Sequence, residues 1–346
     1  AWHWEAAYPQ VYGFTDDPDE PEQVNVSVAQ NLRRSDGRVV NMSSGEARGR
    51  SFHRGDKDSA ADAVLHGRNV QEQWNRALQL DPPFVMVTGW NELIDQRNTR
   101  GDDTLVFVDQ YDQEHSRDIE IMRGGHLDHY YYQMVANIRR YKGMPPLPES
   151  SGPRTIRIEG AFAQWADVKP DYLDSAGETL PRDHPGVCDL HYRRPGGVNE
   201  FLELKVARDA EYVYFYARTA EPVDLSDPER AMMLMIDTGD ATMPGWEGFA
   251  VRVAGHAPAA GRAWLSRSRG GWDWEPELEV ESRVAGGELH LAVPRSALGL
   301  EAGAEVDIEF KWIDHPERPG DVTDLYLSGD TAPVGRFRFR YTAAGL

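Results

Sequence analysis

The apolar positions of the first 145 or so residues alternate between a strand-like and a helix-like pattern. Residues 24–28 alternate apolar and polar side chains, which predicts a strand, and short apolar runs at 84–87 and 105–108 predict two more. Residues 59–80 and 127–141 carry apolar side chains at helical spacing, which predicts two amphipathic helices. Strands followed by such helices are typical of a parallel α/β sheet. Three units are too few for a closed eight-stranded barrel, so we expect the back half of a TIM-like (β/α)8 barrel.

The pattern changes after a proline-rich segment. Residues 144–153 contain four prolines and predict a semi-stiff linker between a domain at 1–143 and a domain at 154–346. Beyond the linker the apolar period is two, and glycine pairs separate the runs. This pattern predicts an antiparallel β-sandwich, with strands at residues 155–159, 198–207, 211–219, 231–237, 247–254, 287–293, 305–312 and 335–341.

Composition excludes several classes of function. The chain has 346 residues and a formal net charge of −20, and both of its halves are acidic, so no basic surface for a nucleic-acid partner is expected. No run of about 18 apolar residues predicts insertion into a membrane. One cysteine, Cys188, excludes an intrachain disulfide. The chain begins at Ala1 without a recognisable signal peptide, and we expect it to be a fragment of a longer protein.

The first candidate for chemistry follows the strand predicted at 84–87. The chain continues through Trp90 and Asn91 to Glu92. The C-terminal ends of barrel strands form the active-site face, and an adjacent indole can raise the pKa of a carboxyl group enough for general acid catalysis. We therefore predict Glu92 as a catalytic carboxylate, with Trp90 and Asn91 as substrate contacts. Alternatively, Glu92 caps the following turn or forms an ion pair with Arg97.

Further candidates lie in three polar segments. Glu46, in a glycine-flanked loop, is a second catalytic candidate, although a local salt bridge to the basic residues of that loop is an alternative. Sugar sites often pair a carboxylate with a stacking indole, which makes Trp4 and Glu5 a third candidate. The charged run at 109–120 predicts a sugar-binding groove, unless it is a solvated loop in which Arg117 pairs with Asp118 or Glu120. Its predicted substrate contacts are Glu114, Arg117 and Asp118.

The sequence Trp-Asn-Glu after a strand resembles glycoside-hydrolase barrels related to the endo-mannosidase and α-1,3-glucanase families, in which a "WNEW" signature closes the barrel. Here Leu93 replaces the final tryptophan. Residues 67–74 and 107–120 resemble the same barrels, and the likeness extends over 1–143. The resemblance implies a carbohydrate substrate, a reaction through paired carboxylates that needs no cofactor, and export to the periplasm or the extracellular space.

Residues 155–342 resemble family 9 carbohydrate-binding modules and the related DOMON sandwiches, on motifs that include 158–165 and 234–238. A pyranose ring stacks its apolar face on an indole, and the candidates are Trp246, Trp264, Trp272, Trp274 and Trp312. Trp272 and Trp274 are two residues apart, so we expect them on one side of a strand as a platform. Modules of this kind can hold structural calcium, for which the candidate ligands are Asp183, Asp237 and Asp240.

Together these patterns predict a carbohydrate-active protein, a glycoside hydrolase with an appended sugar-binding module whose partner is a poly- or oligosaccharide. Two alternatives stay open. The chain could bind glycans without cleaving them, or it could be a surface scaffold that lacks part of the active site. The sequence does not indicate which sugar or linkage is bound, or the oligomeric state.

Overall fold

A computed structural model describes residues 2–92, 97–186, 188–194 and 196–346. The chain divides into two compact units, Ala1–Pro145 and Pro146–Leu346. Leu93 lies outside the described residues, and so does the side chain of Arg97, which had been considered as a partner of Glu92.

Unit 1 contains two α-helices, α1 (Arg68–Leu80) and α2 (His129–Lys142). Its strands are short: β1 (Gln23–Ser27), β2 (Gln30–Arg33), β3 (Ala47–Arg48), β4 (Phe52–His53), β5 (Asp56–Lys57), β6 (Phe84–Thr88), β7 (Arg97–Thr99) and β8 (Leu105–Phe107). Helix α1 begins nine residues later than the apolar pattern predicts, after Gly67, which has a φ of +56°. Neither α-helix in the described residues is both long and apolar enough to cross a membrane.

The predicted partial TIM-like barrel is wrong. Within the described residues of unit 1, only β1 and β6 pair in parallel, in register from Gln23–Phe84 to Ser27–Thr88. The remaining strands form antiparallel pairs of two strands each. The apolar run that predicted a third parallel strand is β8, and it forms a hairpin with β7 because the polar residues 100–104 turn the chain back.

Strand β1 is buried on both faces although its sequence alternates. Its valines pack against Val70 and Trp74 of α1. The side-chain amide of Gln73 accepts a hydrogen bond from Ser27 N at 3.0 Å and donates one to Ser27 O at 2.7 Å. Gln73 thus bonds the main chain of β1 as a neighbouring strand would, and this satisfies polar groups that burial would otherwise leave unpaired.

The described residues of unit 2 contain β-strands and short 3-10 helices but no α-helix. Its strands are β9 (Tyr172–Leu173), β10 (Arg182–Pro185), β11 (His191–Arg194), β12 (Phe201–Arg208), β13 (Tyr212–Thr219), β14 (Met233–Asp237), β15 (Val251–Ala257), β16 (Arg262–Gly270), β17 (Asp273–Ala285), β18 (Glu288–Pro294), β19 (Val306–Asp314), β20 (Asp330–Ala332) and β21 (Phe339–Ala343). The residues predicted as a strand at 155–159 are not one.

Eleven of these strands form one antiparallel sheet in the order β20-β19-β14-β15-β16-β17-β18-β13-β12-β9, with β21 also pairing with β19. The sheet folds over so that two halves face each other: Phe215 of β13 and Phe310 of β19 have ring centroids 5.7 Å apart, although five strands separate β13 from β19 along the sheet. The long strand β17 connects the halves, since it pairs with β16 through its first part and with β18 through its last. Alternate residues of both halves form one apolar core.

Candidate functional site

The two parallel strands of unit 1 end side by side. Ser27 is the last residue of β1 and Thr88 the last of β6, and their hydroxyl oxygens are 2.7 Å apart. In open α/β sheets, ligands bind outside the carboxyl ends of parallel strands. The residues that follow Ser27 and Thr88 are therefore the first place in unit 1 to look for a site.

The segment after β6 is fixed by its main chain. Gly89 has a φ of +75°, and a Cβ atom there would overlap the carbonyl oxygen of Arg117, so the close approach of these two segments requires glycine. Ile119 N donates to Gly89 O at 3.2 Å, and Glu120 N donates to Trp90 O at 2.9 Å. The main chain that carries the Trp90 indole is therefore fixed by hydrogen bonds, and Trp90 is 45% exposed.

Asp118 is a buried positioning residue in this segment. It is 0% exposed, and its Oδ1 accepts a hydrogen bond from Glu92 N at 2.6 Å. Burial raises the pKa of Asp118, and the hydrogen bond from Glu92 N partly opposes that rise. Asp118 thereby orients the main chain that carries Asn91 and Glu92, and its burial keeps it from the direct substrate contact that the sequence predicted.

The guanidinium of Arg117 is the centre of a second group of buried charges, next to Asp118. It donates to Asp109 Oδ1 at 2.7 Å and lies 3.9 Å from Glu5 Oε2. All three side chains are buried or nearly so, and Glu5 also accepts a hydrogen bond from Asn31 N. Burial raises the pKa of Glu5, while the Arg117 charge opposes the rise. The ion pair of Arg117 with Asp109 was not foreseen, because the expected partners were Asp118 and Glu120.

Arg50 is the residue of this region that the sequence did not single out. It is 0% exposed, donates to Asp118 O at 2.6 Å and to Ser116 Oγ at 2.9 Å, and places its guanidinium 4.5 Å from the Tyr130 ring centroid. Burial lowers the pKa of Arg50. The sequence feature that could have drawn attention to Arg50 is the preceding residue, Gly49. A Cβ atom at that position would collide with Glu114. Arg50 supports the segment 116–118 from within the unit.

The other candidates in unit 1 are dispersed. Glu92 and Asn91 are exposed beside Trp90, and Trp4 is 65% exposed. Glu46 is exposed and forms an ion pair at 3.4 Å with Arg33 of β2, whereas the alternative named the basic residues of its own loop as partners. Glu114 accepts a hydrogen bond from Ser51 Oγ at 2.6 Å and is half-buried.

The tryptophans of unit 2 do not form the expected platform. The ring planes of Trp272 and Trp274 are 88° apart, and Trp272 also meets Trp246 edge-on at 4.6 Å. Trp246 is 5% exposed and donates to Gly320 O at 3.1 Å. The prediction from sequence spacing is wrong because Trp272 lies in the turn before β17 rather than in the strand.

The three predicted calcium ligands have other partners. Asp237 is 2.6 Å from Arg338, Asp183 is 2.5 Å from His191, and Asp240 accepts a hydrogen bond from Thr242 N at 2.9 Å. Within the described residues, the carboxylates that come within 4.8 Å of one another are instead Asp174, Glu178 and Asp330. The buried amine of Lys311 interacts with these three carboxylates: burial lowers the pKa of Lys311 to about 7, and the carboxylates oppose that fall.

Comparisons with protein-family models, with curated protein sequences and with solved structures find no match to this chain.

Proposed function

We propose that unit 1 binds a saccharide at the carboxyl ends of β1 and β6, on the indole of Trp90. The observation that carries this proposal is that Trp90 is 45% exposed while hydrogen bonds from residues 119 and 120 hold its main chain. A rigid, exposed aromatic ring offers contact area at little cost in conformational entropy.

The residues beside Trp90 supply polar groups for a sugar. Asn91 and Glu92 are exposed, and the amide of Asn91 can donate to hydroxyls and accept from them. The carboxylate of Glu92 accepts hydrogen bonds, and a pair of adjacent sugar hydroxyls provides two. Because Asp118 holds Glu92 N, this arrangement is formed before a ligand arrives, which reduces the entropy lost on binding.

The proposal is tested with the full chain and a panel of neutral hexasaccharides of β-1,4-linked glucose, β-1,4-linked mannose, α-1,3-linked glucose and α-1,6-linked mannose. Binding is measured by calorimetry and by the shifts of indole N–H signals in NMR spectra. We expect Trp90→Ala to weaken the binding of the preferred oligosaccharide at least tenfold, or about 1.4 kcal/mol.

Trp264→Ala is the matched control, because Trp264 is 44% exposed on β16 and its removal also deletes one surface indole. We expect this variant to bind as the wild type does. The proposal fails if no member of the panel binds the wild type, or if Trp90→Ala binds as tightly as the wild type.

Hydrolysis of the bound saccharide is a second candidate function, favoured by Glu5. Its side chain is 12% exposed and burial raises its pKa, as a general acid requires. Glycoside hydrolysis uses two carboxyl groups, and Glu92 is the exposed carboxylate in the segment that follows β6. Export of such a protein is part of the same proposal.

The hydrolysis proposal is tested by following reducing ends released from the oligosaccharides that bind. We expect Glu5→Gln and Glu92→Gln each to reduce the rate at least a hundredfold while the oligosaccharide remains bound. Release at the wild-type rate by either variant removes that residue from the mechanism, and binding without release by the wild type leaves a glycan-binding protein.

A further inference from the structure

The hairpin of β10 and β11 in unit 2 places two arginines opposite each other. Its register pairs Arg182 with Arg194 and His184 with Tyr192. Directly opposed residues of an antiparallel pair share one face of the ribbon, and like charges in that position are destabilising. The next pair, Asp183 with Arg193, lies on the other face.

The charges of this arginine pair are not neutralised by direct ion pairs. Arg194 donates to the carbonyl oxygens of Leu180 at 2.9 Å and of Leu327 at 2.5 Å, which fix the guanidinium in place but carry no charge. The side chain of Arg182 makes no hydrogen bond or ion pair with the part of the chain that the structure describes. The pKa of Arg194 is lowered by burial, and the Arg182 charge lowers it further.

The other face of the hairpin is different. Asp183 lies 2.5 Å from His191 and 3.5 Å from Arg193, so the basic groups there have a carboxylate partner. The arginine pair borders a surface cleft of about 610 Å³, which Asp183, Arg193 and Glu317 also line. The Glu317 charge raises the pKa of Arg194, but this effect is smaller than the lowering by burial and by Arg182.

We propose that this cleft binds an oxyanion, the carboxylate or sulfate group of a small ligand, between Arg182 and Arg194. Guanidinium groups donate in a planar fork that matches the oxygens of carboxylate and sulfate. Arg194 is held by main-chain carbonyls before binding, and the anion removes the repulsion between the opposed arginines. The chain carries a net charge of −20, which disfavours long polyanions and favours a ligand with one or two charges.

The experiment titrates the full chain with sodium sulfate and separately with trigalacturonate, a saccharide that carries carboxylates, at constant ionic strength. The Nε–H signals of the arginines are followed by NMR. We expect Arg182→Gln to weaken binding at least tenfold. Sulfate binding alone identifies a site for free oxyanions, and tighter binding of trigalacturonate identifies an acidic saccharide as the ligand.

Two further variants sharpen the test. Arg262→Gln removes the same charge from an exposed position on β16, outside the cleft, and we expect its affinity to stay within twofold of the wild type. Glu317→Gln removes a competing carboxylate, and we expect affinity to rise about threefold. The proposal is overturned if neither anion binds the wild type, or if Arg262→Gln loses as much affinity as Arg182→Gln, which would indicate a nonspecific field effect.

Discussion

The two units bury their polar groups in different ways. Unit 1 has a modest apolar core and a polar interior beyond its strand ends, where Arg50 and Asp118 are both 0% exposed. Unit 2 buries a much larger apolar core between its sheet halves. Its buried carboxylates lie where the two ends of the sheet meet: Asp330 accepts from Phe201 N at 2.6 Å, and Asp314 accepts from Asn199 N, just before β12, at 3.1 Å.

This difference shows that a buried carboxyl group with a raised pKa does not by itself mark a binding site. Asp330 has its pKa raised by burial to about 7, yet it accepts hydrogen bonds from the main-chain N–H groups of Phe201 and Thr331. Asp118 in unit 1 performs the same structural task for Glu92 N. What distinguishes unit 1 is the exposed Trp90 beside its buried charges.

The largest expected effect tests whether unit 2 depends on the core between its sheet halves. Phe310 is 0% exposed and meets Phe215 across the two halves. We expect Phe310→Ala to lower the free energy of unfolding of unit 2 by about 3–5 kcal/mol, because it removes apolar contacts and leaves a cavity. The measurement is chemical denaturation followed by the NMR signals of unit 2.

Trp264→Ala is the control for this prediction. Its indole is 44% exposed, so we expect a change within about 0.5 kcal/mol. A loss for Phe310→Ala no larger than that for Trp264→Ala would contradict the arrangement of two facing halves around one core.

The sequence predicted seven of the thirteen strands that the structure describes in unit 2, because these strands alternate strongly. Runs such as 211–219 place apolar side chains on one face, and β13 is found at Tyr212–Thr219. Strands β16 and β17 are among the six that were missed, because their outward faces are charged and Pro276 interrupts the second one. Most residues of β17 are at least partly exposed, so its sequence shows little apolar periodicity.

Unit 1 was harder to predict, because its apolar runs are consistent with more than one pairing. Residues 84–87 and 105–108 are both short apolar runs, yet β6 pairs in parallel with β1, whereas β8 forms a hairpin with β7. The order of residues 90–92 indicated where to look for a site. It could not reveal Arg50 or the ion pair of Arg117 with Asp109, since these contacts depend on how distant loops meet.

A smaller effect is expected for Gly89→Ala, which tests whether the main chain after β6 fixes the site of unit 1. Gly89 has a φ of +75°, and a methyl group would meet the Arg117 carbonyl. We expect the free energy of unfolding to fall by about 1–3 kcal/mol, because the substitution adds backbone strain. We also expect the NMR signals of residues 117–120 to shift.

Gly101→Ala is the control, because Gly101 has free space around it and no positive φ. Equal stability and unchanged signals in Gly89→Ala would show that the contact with Arg117 does not hold Trp90 in place.

A change in pH dependence tests whether the carboxylates at the sheet ends of unit 2 are structural. Burial raises the pKa of Asp174 to about 8, and the charges of Glu178 and Asp330 add to the rise, while Lys311 opposes it. The unfolded chain releases this proton near its ordinary pKa of 3.8, whereas the folded chain retains it up to about pH 8. The folded state therefore binds the extra proton between these values, and its stability falls as the pH rises through that window.

We expect Asp174→Asn to flatten this fall, because the amide cannot ionise, and to make the protein more stable than the wild type at pH 8 while changing little at pH 4. Urea denaturation at unit intervals of pH measures the slope. Asp240→Asn is the matched control, since Asp240 is exposed and its pKa is lowered by hydrogen bonds from Thr242, which places its titration below this window. If Asp174→Asn is less stable than the wild type at pH 8, the Asp174 carboxylate is ionised and stabilising in the folded protein, as it would be beside Lys311 in its charged form or beside a bound cation. The buried carboxyls of unit 2 would then resemble the ion pairs of unit 1, and the contrast between the two interiors would no longer hold.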